Sequence, residues 1–349
     1  MPTQIVFGNN SVNDIDKFIA GRKTLLITSK SFLKRGLVDK IKALTPYIVY
    51  VISDIKSHPE FKDLKKIYND IQKIDYELIL AVGGGSVLDA SKFFSVQNNK
   101  KEYQFVEDII KGKREKKDYT LTPIIAVPTT AGTGSEITPW ATIWDMEEKK
   151  KYSLHLSNLF SKIAIYDPSL TLTISKDITI QTGLDTLSHA LESIWNKNAS
   201  VITIDYAKKS AKLIVDNLVL LSKDLENIMY RTNIMKACMY AGLAFSNTQT
   251  AIAHAMSYYI TSYKGVPHGI ACSFTLPMLI DNIIGKYDFI DEALIEIFGE
   301  LSSNKLRKIL KELNISTQFS DYGINNEEIE SLNKSLSNNQ RAGNSLISI

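Results

Sequence analysis

The sequence has few of the features that mark disulfide-stabilised, membrane or nucleic-acid-binding proteins. Two cysteines in 349 residues, Cys238 and Cys272, cannot form a disulfide framework, and neither belongs to a CxxC motif. There is no run of about 18 apolar residues and no basic-then-apolar leader, so we expect neither a membrane span nor a signal segment. A net charge of +3 gives no reason to expect nucleic acid as a partner. We therefore expect a cytoplasmic protein with reduced thiols.

The first half of the chain alternates short apolar runs with helical patterns. The runs are rich in β-branched residues, and the segment Phe61–Ile74 between two of them has apolar residues on a 3.6-residue period. This alternation is typical of an open, mostly parallel α/β sheet. The runs predicted as buried strands are Thr24–Thr28, Tyr47–Ile52, Leu78–Val82, Ile124–Val127 and Lys162–Tyr166.

The second half has a different character. From Lys176 onward the apolar spacing is helical almost throughout. We place a boundary near residue 168, which gives an α/β domain (residues 1–168) and a helical domain (residues 169–349). Ligands of such proteins usually bind beyond the carboxyl ends of the strands, and we expect the active site in the cleft between the domains. The Asn/Ser-rich stretch Ser335–Asn344 is expected to be loosely ordered.

Two glycine-containing turns follow predicted strands. Leu78–Val82 leads into Gly83-Gly84-Gly85-Ser86 and then into a helical pattern. Backbone N–H groups at such a turn can approach a phosphate closely, although a tight structural turn would look the same. Ile124–Val127 leads into Pro128–Glu136 (PTTAGTGSE), which offers four hydroxyls and two glycines. Together the two turns favour a dinucleotide site.

Histidine is scarce, and three of the five histidines fall into a pattern with one aspartate. Asp185 and His189 are spaced i,i+4, so their side chains lie on one helical face. His254 lies in a second apolar helical stretch, and His268 follows in the GVPHG loop. A single histidine of this kind is usually a hydrogen-bonded core residue. The full set instead predicts a divalent transition metal with an open coordination position. His58 and His155 are interpreted as structural or surface residues.

The motifs GGGSVLDASK, PTTAGTGSE and GLDTLSHALE, with the His254 and His268 pair, resemble the iron-containing alcohol dehydrogenase family. The resemblance implies an N-terminal dinucleotide-binding domain, a helical metal-binding domain and a homodimer. It implies Fe2+ as the metal, with Zn2+ also accepted, held by Asp185, His189, His254 and His268. The residues that it places at the cofactor are Gly84, Gly85, Ser86, Thr129, Thr130, Ser135 and Lys151.

The sequence departs from the family pattern at two places. Family members that use NAD often have an aspartate after the first strand, where this chain has Ser29 followed by Lys30. Ser29 would not repel a 2′-phosphate and Lys30 could attract one, so we expect NADP(H) in preference to NAD(H). The alternative is that Ser29 only starts the next turn. Tyr258 replaces a histidine that relays the alcohol proton in many members. A relay in this chain would pass through Tyr258, the cofactor ribose or water, and the alternative is that Tyr258 only packs.

The resemblance implies an aldehyde reductase that transfers hydride from the nicotinamide to a carbonyl polarised by the metal. The segments around His254 and the RAGN at residues 341–344 are most similar to the phosphonoacetaldehyde reductase branch, whose product is 2-hydroxyethylphosphonate in phosphonate biosynthesis. A generic short-chain alcohol, butanol or propanediol dehydrogenase is the alternative. A sugar-phosphate cyclase of the dehydroquinate synthase type, and a binding protein with a structural metal, also stay open.

Overall fold

The structure, a computed structural model, describes residues 2–148, 150–337 and 339–347. The chain forms two compact units. Unit 1 consists of the residues up to Thr130 together with Ser135–Leu170, and unit 2 consists of Ala131–Gly134 and the residues from Thr171 onward. Among the described residues, each helix is too short or too polar to cross a membrane.

Unit 1 is built on a six-stranded sheet with the order β1-β10-β7-β4-β2-β3, in which all neighbouring strands are parallel. The predicted parallel α/β sheet is therefore confirmed. Two antiparallel pairs, β5–β6 and β8–β9, lie outside it. The strands are β1 (Gln4–Phe7), β2 (Thr24–Ile27), β3 (Ile48–Ile52), β4 (Leu78–Gly83), β5 (Val96–Gln97), β6 (Thr120–Leu121), β7 (Ile124–Pro128), β8 (Trp140–Asp145), β9 (Lys150–His155) and β10 (Ile163–Tyr166).

The central strands are apolar along their whole length because both faces of the sheet are covered. In β4, Leu80 and Val82 pack in the core on one face, while Ile79 packs in the core on the other. The outermost strand β3 is different. It was predicted to be buried, but Val49 and Tyr50 are exposed because β3 pairs only with β2.

Helices connect the parallel strands of unit 1. Helix α4 places five apolar residues against the sheet and ends at Ile71, three residues before the predicted end at Ile74. The helices of this unit are α1 (Ile15–Ile19), α2 (Lys30–Lys34), α3 (Leu37–Leu44), α4 (Phe61–Ile71), α5 (Gly85–Ser95) and α6 (Tyr103–Ile110).

Unit 2 is helical, as predicted. Its longest helices, α7 to α9, begin at polar caps, since the side chains of Ser175, Ser200 and Asn227 accept backbone N–H groups of the first turns. The helices are α7 (Lys176–Ile194), α8 (Val201–Lys223), α9 (Ile228–Thr248), α10 (Ile252–Lys264), α11 (His268–Ser273), α12 (Leu276–Ile283), α13 (Asp288–Phe298), α14 (Asn304–Glu312) and α15 (Asn326–Leu336).

The expectation of loose order for Ser335–Asn344 was wrong for the part that the structure describes; Asn338 lies outside the described residues. The segment from residue 339 to 347 folds back onto unit 2, and its Ala342 and Ile347 join the unit's apolar core. Apolar contacts and backbone hydrogen bonds hold this segment in spite of its polar composition.

Candidate metal centre and cofactor-binding turns

Helix α7 aligns three ionisable residues on one buried face. Asp185, His189 and Glu192 occupy positions i, i+4 and i+7, and their exposed fractions are 5%, 4% and 0%. The helix is buried from Leu184 to Ile194. Buried ionisable groups are costly unless they are paired or bind a metal, so this face marks a site.

Glu192 fixes the position of His254. Its two carboxylate oxygens accept the backbone N–H groups of Ala251, Ala253 and His254, at 2.9, 2.5 and 3.3 Å, at the beginning of α10. The same carboxylate lies 2.6 Å from His254 Nδ1. A carboxylate at Nδ1 leaves Nε2 of the ring as the atom that can bind a metal.

A close approach of two helices places His268 beside Asp185. A Cβ added to Gly269 would lie 1.9 Å from the backbone oxygen of Gln181 and 3.2 Å from Asp185 Cβ. Only a glycine therefore lets α11 pack at this distance against α7. His268 precedes this glycine, at the start of α11.

The predicted ligands come together in unit 2. Potential ligand atoms of Asp185, His254, His268 and Cys272 all lie within 4.8 Å of one another. Asp185 Oδ1 is 3.5 Å from His254 Nε2 and 3.8 Å from His268 Nε2. The ring of His189 stacks on that of His254, with centroids 4.4 Å apart. His189 is outside the 4.8 Å group but touches it through this stacking.

The group leaves buried polar atoms without hydrogen-bond partners. Asp185 Oδ1, His189 Nδ1 and His254 Nε2 are buried, and none of them has a hydrogen bond to a described residue. Leaving a buried polar atom unpaired costs roughly 1–3 kcal/mol, so three on residues that lie this close together are unusual in a stable fold. A divalent cation would satisfy Asp185 Oδ1 and His254 Nε2, which are 3.5 Å apart, and carboxylate and imidazole donors suit iron or zinc.

The protonation states of His189, Asp185 and Glu192 also suit a cation. Burial lowers the pKa of His189 to about 4, so this imidazole is neutral at pH 7, as a ligand must be. Burial alone would raise the pKa of Asp185, but His189, His254 and His268 hold it well below its usual range. Burial alone would likewise raise the pKa of Glu192, but His254 and the backbone N–H groups lower it. Both carboxyl groups are therefore ionised.

Cys272 belongs to the same group and is fully buried. Its Sγ lies 3.8 and 3.7 Å from the two ring nitrogens of His268, because one turn of α11 separates the two residues. Burial raises the pKa of the Cys272 thiol.

Tyr258 lies one turn after His254 on α10. Its ring is parallel to the imidazole of His268, with an interplanar angle of 8° and centroids 6.4 Å apart. The side chain is partly exposed. This position is compatible with both roles predicted for it, proton relay and packing.

The two glycine-containing turns begin side by side, at the ends of two neighbouring strands of unit 1. Strands β4 and β7 are neighbours in register, with Gly83 opposite Pro128, and the N–H of Thr129 donates to Gly83 O at 3.0 Å. A Cβ on Gly84 would lie 3.2 Å from Thr130 Oγ1, so the glycine makes room for this threonine. Gly85 begins α5, where the helix N-terminus favours an anion.

Several predicted cofactor residues have hydroxyls engaged within unit 1. Ser86 Oγ donates to the backbone oxygen of Ser57. Ser135 Oγ donates to Asp89 Oδ1 at 2.6 Å and accepts from Lys92 Nζ at 3.0 Å. Lys92 is buried, and burial lowers its pKa to about 8. Sequence reasoning missed this network, although Asp89 and Lys92 are spaced i,i+3 in the helix that follows the first glycine turn.

The remaining predicted residues lie at the surface of unit 1. Ser29 directly follows β2, and the exposed Lys30 begins α2. Lys151 lies on β9 with its Nζ 5.6 Å from the centroid of the Trp144 ring. His58 and His155, which were interpreted as structural or surface residues, are exposed and pack edge-on against Trp144 and Trp140.

The chain matches two models of one protein family, one for each part of the chain. Residues 2–168 match "Iron-containing alcohol dehydrogenase", and residues 179–345 match "Fe-containing alcohol dehydrogenase family, C-terminal". The sulfoacetaldehyde reductase of Bifidobacterium kashiwanohense, solved in complex with NAD+, superposes with a TM-score of 0.92 at 27% identity, over 100% of this chain and 94% of that one. This similarity agrees with the predicted fold class.

Two curated relatives illustrate the range of similar proteins. The NADPH-dependent butanol dehydrogenase of Clostridium saccharobutylicum is 27% identical over 95% of this chain and 88% of its own length. The aldehyde-alcohol dehydrogenase of Streptococcus pneumoniae is 30% identical over 80% of this chain, which spans only 33% of that longer protein. The family resemblance of the sequence motifs is confirmed by these matches.

Proposed function

Because the chain belongs to the iron-containing alcohol dehydrogenase family, we propose that it is a metal-dependent aldehyde reductase that uses NADPH. The observation that carries the proposal is the approach of Asp185 Oδ1 to His254 Nε2, at 3.5 Å, within 4.8 Å of a ring nitrogen of His268; both atoms are buried and have no hydrogen-bond partner among the described residues. When bound there, a divalent ion supplies a Lewis acid that stabilises negative charge on a carbonyl oxygen.

The protein's own residues supply ligands, orientation and a proton path. Asp185, His189, His254 and His268 hold the ion, and Glu192 keeps Nε2 of His254 turned toward it. Tyr258, parallel to His268, lies where its hydroxyl can take part in moving the proton that the product alcohol gains. A nucleophilic side chain is not required, because the cofactor supplies the hydride.

The two glycine-containing turns would hold the cofactor. Gly84, Gly85 and Ser86 would contact the pyrophosphate, Thr129, Thr130 and Ser135 would contribute to the pyrophosphate, ribose and nicotinamide side, and Lys151 would lie near the cofactor. Ser29 and Lys30 favour the 2′-phosphate of NADP(H), since a carboxylate is missing at this place and a lysine is present. The NADPH-dependent butanol dehydrogenase among the relatives supports this choice.

The proposed substrate is phosphonoacetaldehyde, which would give 2-hydroxyethylphosphonate. The similarity to a sulfoacetaldehyde reductase supports a two-carbon aldehyde with an acidic group. The butanol dehydrogenase favours the alternative, a neutral short-chain aldehyde.

Absorbance at 340 nm tests the proposal directly. The apoprotein is loaded with Fe2+ or Zn2+ and supplied with NADPH or NADH and a panel of aldehydes that includes phosphonoacetaldehyde and butyraldehyde. We expect NADPH oxidation that requires the metal and falls by about 100-fold or more in His268→Ala, which loses a ligand. His155→Ala, on the exposed surface of β9, is the matched control and should retain the wild-type rate. If no aldehyde is reduced with either cofactor and either metal, the proposal is wrong.

A further inference from the structure

The segment from residue 339 to 347 places a charged side chain, Arg341, against Tyr258. The segment is attached on one side to the residues that follow α7 and on the other to those that precede α10. The bonds are Lys197 N to Asn344 O (2.7 Å), Leu346 N to Trp195 O (2.9 Å) and Asn344 Nδ2 to Thr250 O (3.0 Å). These attachments fix the position of Arg341, three residues before Asn344.

Arg341 lies over an aromatic ring that faces a predicted metal ligand. Its guanidinium carbon is 4.8 Å from the centroid of the Tyr258 ring, and the same ring lies parallel to the imidazole of His268, with centroids 6.4 Å apart. Tyr258 therefore contacts both the guanidinium of Arg341 and the ring of the predicted ligand His268.

The guanidinium of Arg341 has no acidic partner of its own among the described residues. The group is partly buried, and burial lowers its pKa, but an arginine remains charged in a protein. The charge of Glu192 acts on it, yet both oxygens of Glu192 are already hydrogen-bonded to His254 and to the start of α10. A partly buried cation without a hydrogen-bonded carboxylate is costly, which indicates that an anion binds there.

We propose that Arg341 binds the acidic headgroup of the substrate, so that the enzyme acts on short aldehydes carrying a phosphonate or sulfonate group. This inference rests on the proposed aldehyde reductase function. The planar guanidinium matches two oxygens of such a headgroup, and its contact with the Tyr258 ring helps to hold it in place. The sequence alone did not show which cation would serve, because the back-folding of residues 339–347 is a tertiary feature.

The ratio of kcat/KM values for an acidic and a neutral aldehyde tests the inference. NADPH oxidation is measured with phosphonoacetaldehyde and with propionaldehyde for the metal-loaded wild type, Arg341→Met and Arg341→Lys. We expect Arg341→Met to lower the ratio about 10- to 100-fold, as for the loss of a charged hydrogen-bond pair, mainly through KM. Arg341→Lys should recover part of the loss. Arg307→Met, at an exposed ion pair with Asp281, is the control and should keep the ratio of the wild type.

A turnover-independent measurement separates failure of the inference from failure of the proposed function. Ethylphosphonate binding to the metal-loaded protein is measured by calorimetry. Suppose that the wild type reduces no aldehyde but binds ethylphosphonate, and that Arg341→Met does not bind it. This result would support the anion subsite and contradict the proposed reductase function. If Arg341→Met binds ethylphosphonate as the wild type does, or loses both aldehydes equally while remaining folded, Arg341 only packs on Tyr258 and the inference is wrong.

Discussion

At the scale of single residues, the candidate metal centre depends on side chains that are not themselves predicted ligands. Glu192 satisfies four donors, three from the start of α10 and one from the His254 ring. It therefore couples the position of a helix to the orientation of an imidazole. Its spacing from Asp185 and His189 places it on the same face of α7, which is the signal by which the sequence could have revealed it.

Replacing Glu192 should weaken the metal site without removing a ligand. We expect Glu192→Gln to lower the affinity for Zn2+ about 10- to 100-fold, because the His254 ring loses the charged partner that orients it. Competition with a fluorescent zinc chelator measures this affinity. Glu296→Gln provides the control, since Glu296 is exposed and pairs with Lys208 at the surface. Equal affinities for the wild type and Glu192→Gln would show that Glu192 serves only as the cap of α10.

At the scale of elements, the sequence predicted those strands and helices whose apolar pattern is continuous. The runs that became β2, β4, β7 and β10 are buried on both faces, so each appears in the sequence as an unbroken apolar segment. Strand β1 and the hairpin β8–β9 were missed because most of their residues are only partly buried or exposed, so their sequences lack an unbroken apolar segment. Burial on both faces, rather than propensity, made an element predictable.

Residues that reach the site through tertiary packing could not be predicted in the same way. The four predicted ligands stay predictions, although the structure brings three of them within 4.8 Å of one another. Cys272 joins them because α11 packs against α7, a contact that Gly269 permits. Arg341 reaches Tyr258 because residues 339–347 fold back. Neither contact produces a periodic pattern of residues in the sequence.

The packing of α11 on α7 makes Gly269 a sensitive position. In Gly269→Ala the new Cβ would meet the Gln181 backbone oxygen, which cannot move without shifting α7. We expect a loss of about 1–3 kcal/mol or more in the free energy of unfolding, together with weaker Zn2+ binding, because His268 moves away from Asp185. Urea unfolding and chelator competition measure the two effects.

Gly343→Ala is the matched control for this substitution. Gly343 has open space where a Cβ would be placed, and its backbone conformation is one that alanine adopts. It should change neither quantity by more than about 0.5 kcal/mol. A Gly269→Ala protein with normal stability and metal affinity would contradict the close approach of α11 and α7.

At the scale of the whole molecule, the two units have different tasks in the proposed reaction. Unit 1 rests on a sheet whose neighbouring strands are hydrogen-bonded throughout and does not contain the predicted ligands. Unit 2 contains all of them. They lie on three different helices, and Asp185 and His268 are 83 residues apart along the chain. A bound ion would tie α7, α10 and α11 to one another, and its stabilising effect should concentrate in these helices.

Hydrogen exchange should show this distribution. Adding Zn2+ at about 100 times its dissociation constant should stabilise the EDTA-treated protein by about 2.7 kcal/mol, and amides of α7, α10 and α11 should exchange correspondingly more slowly. Amides of β4 and β7 in unit 1 should gain much less protection. The same addition to His254→Ala, which lacks a predicted ligand, should protect the helices far less. Equal protection of the sheet and the helices, or none in either, would show that the predicted ligands do not form a site that links the three helices of unit 2.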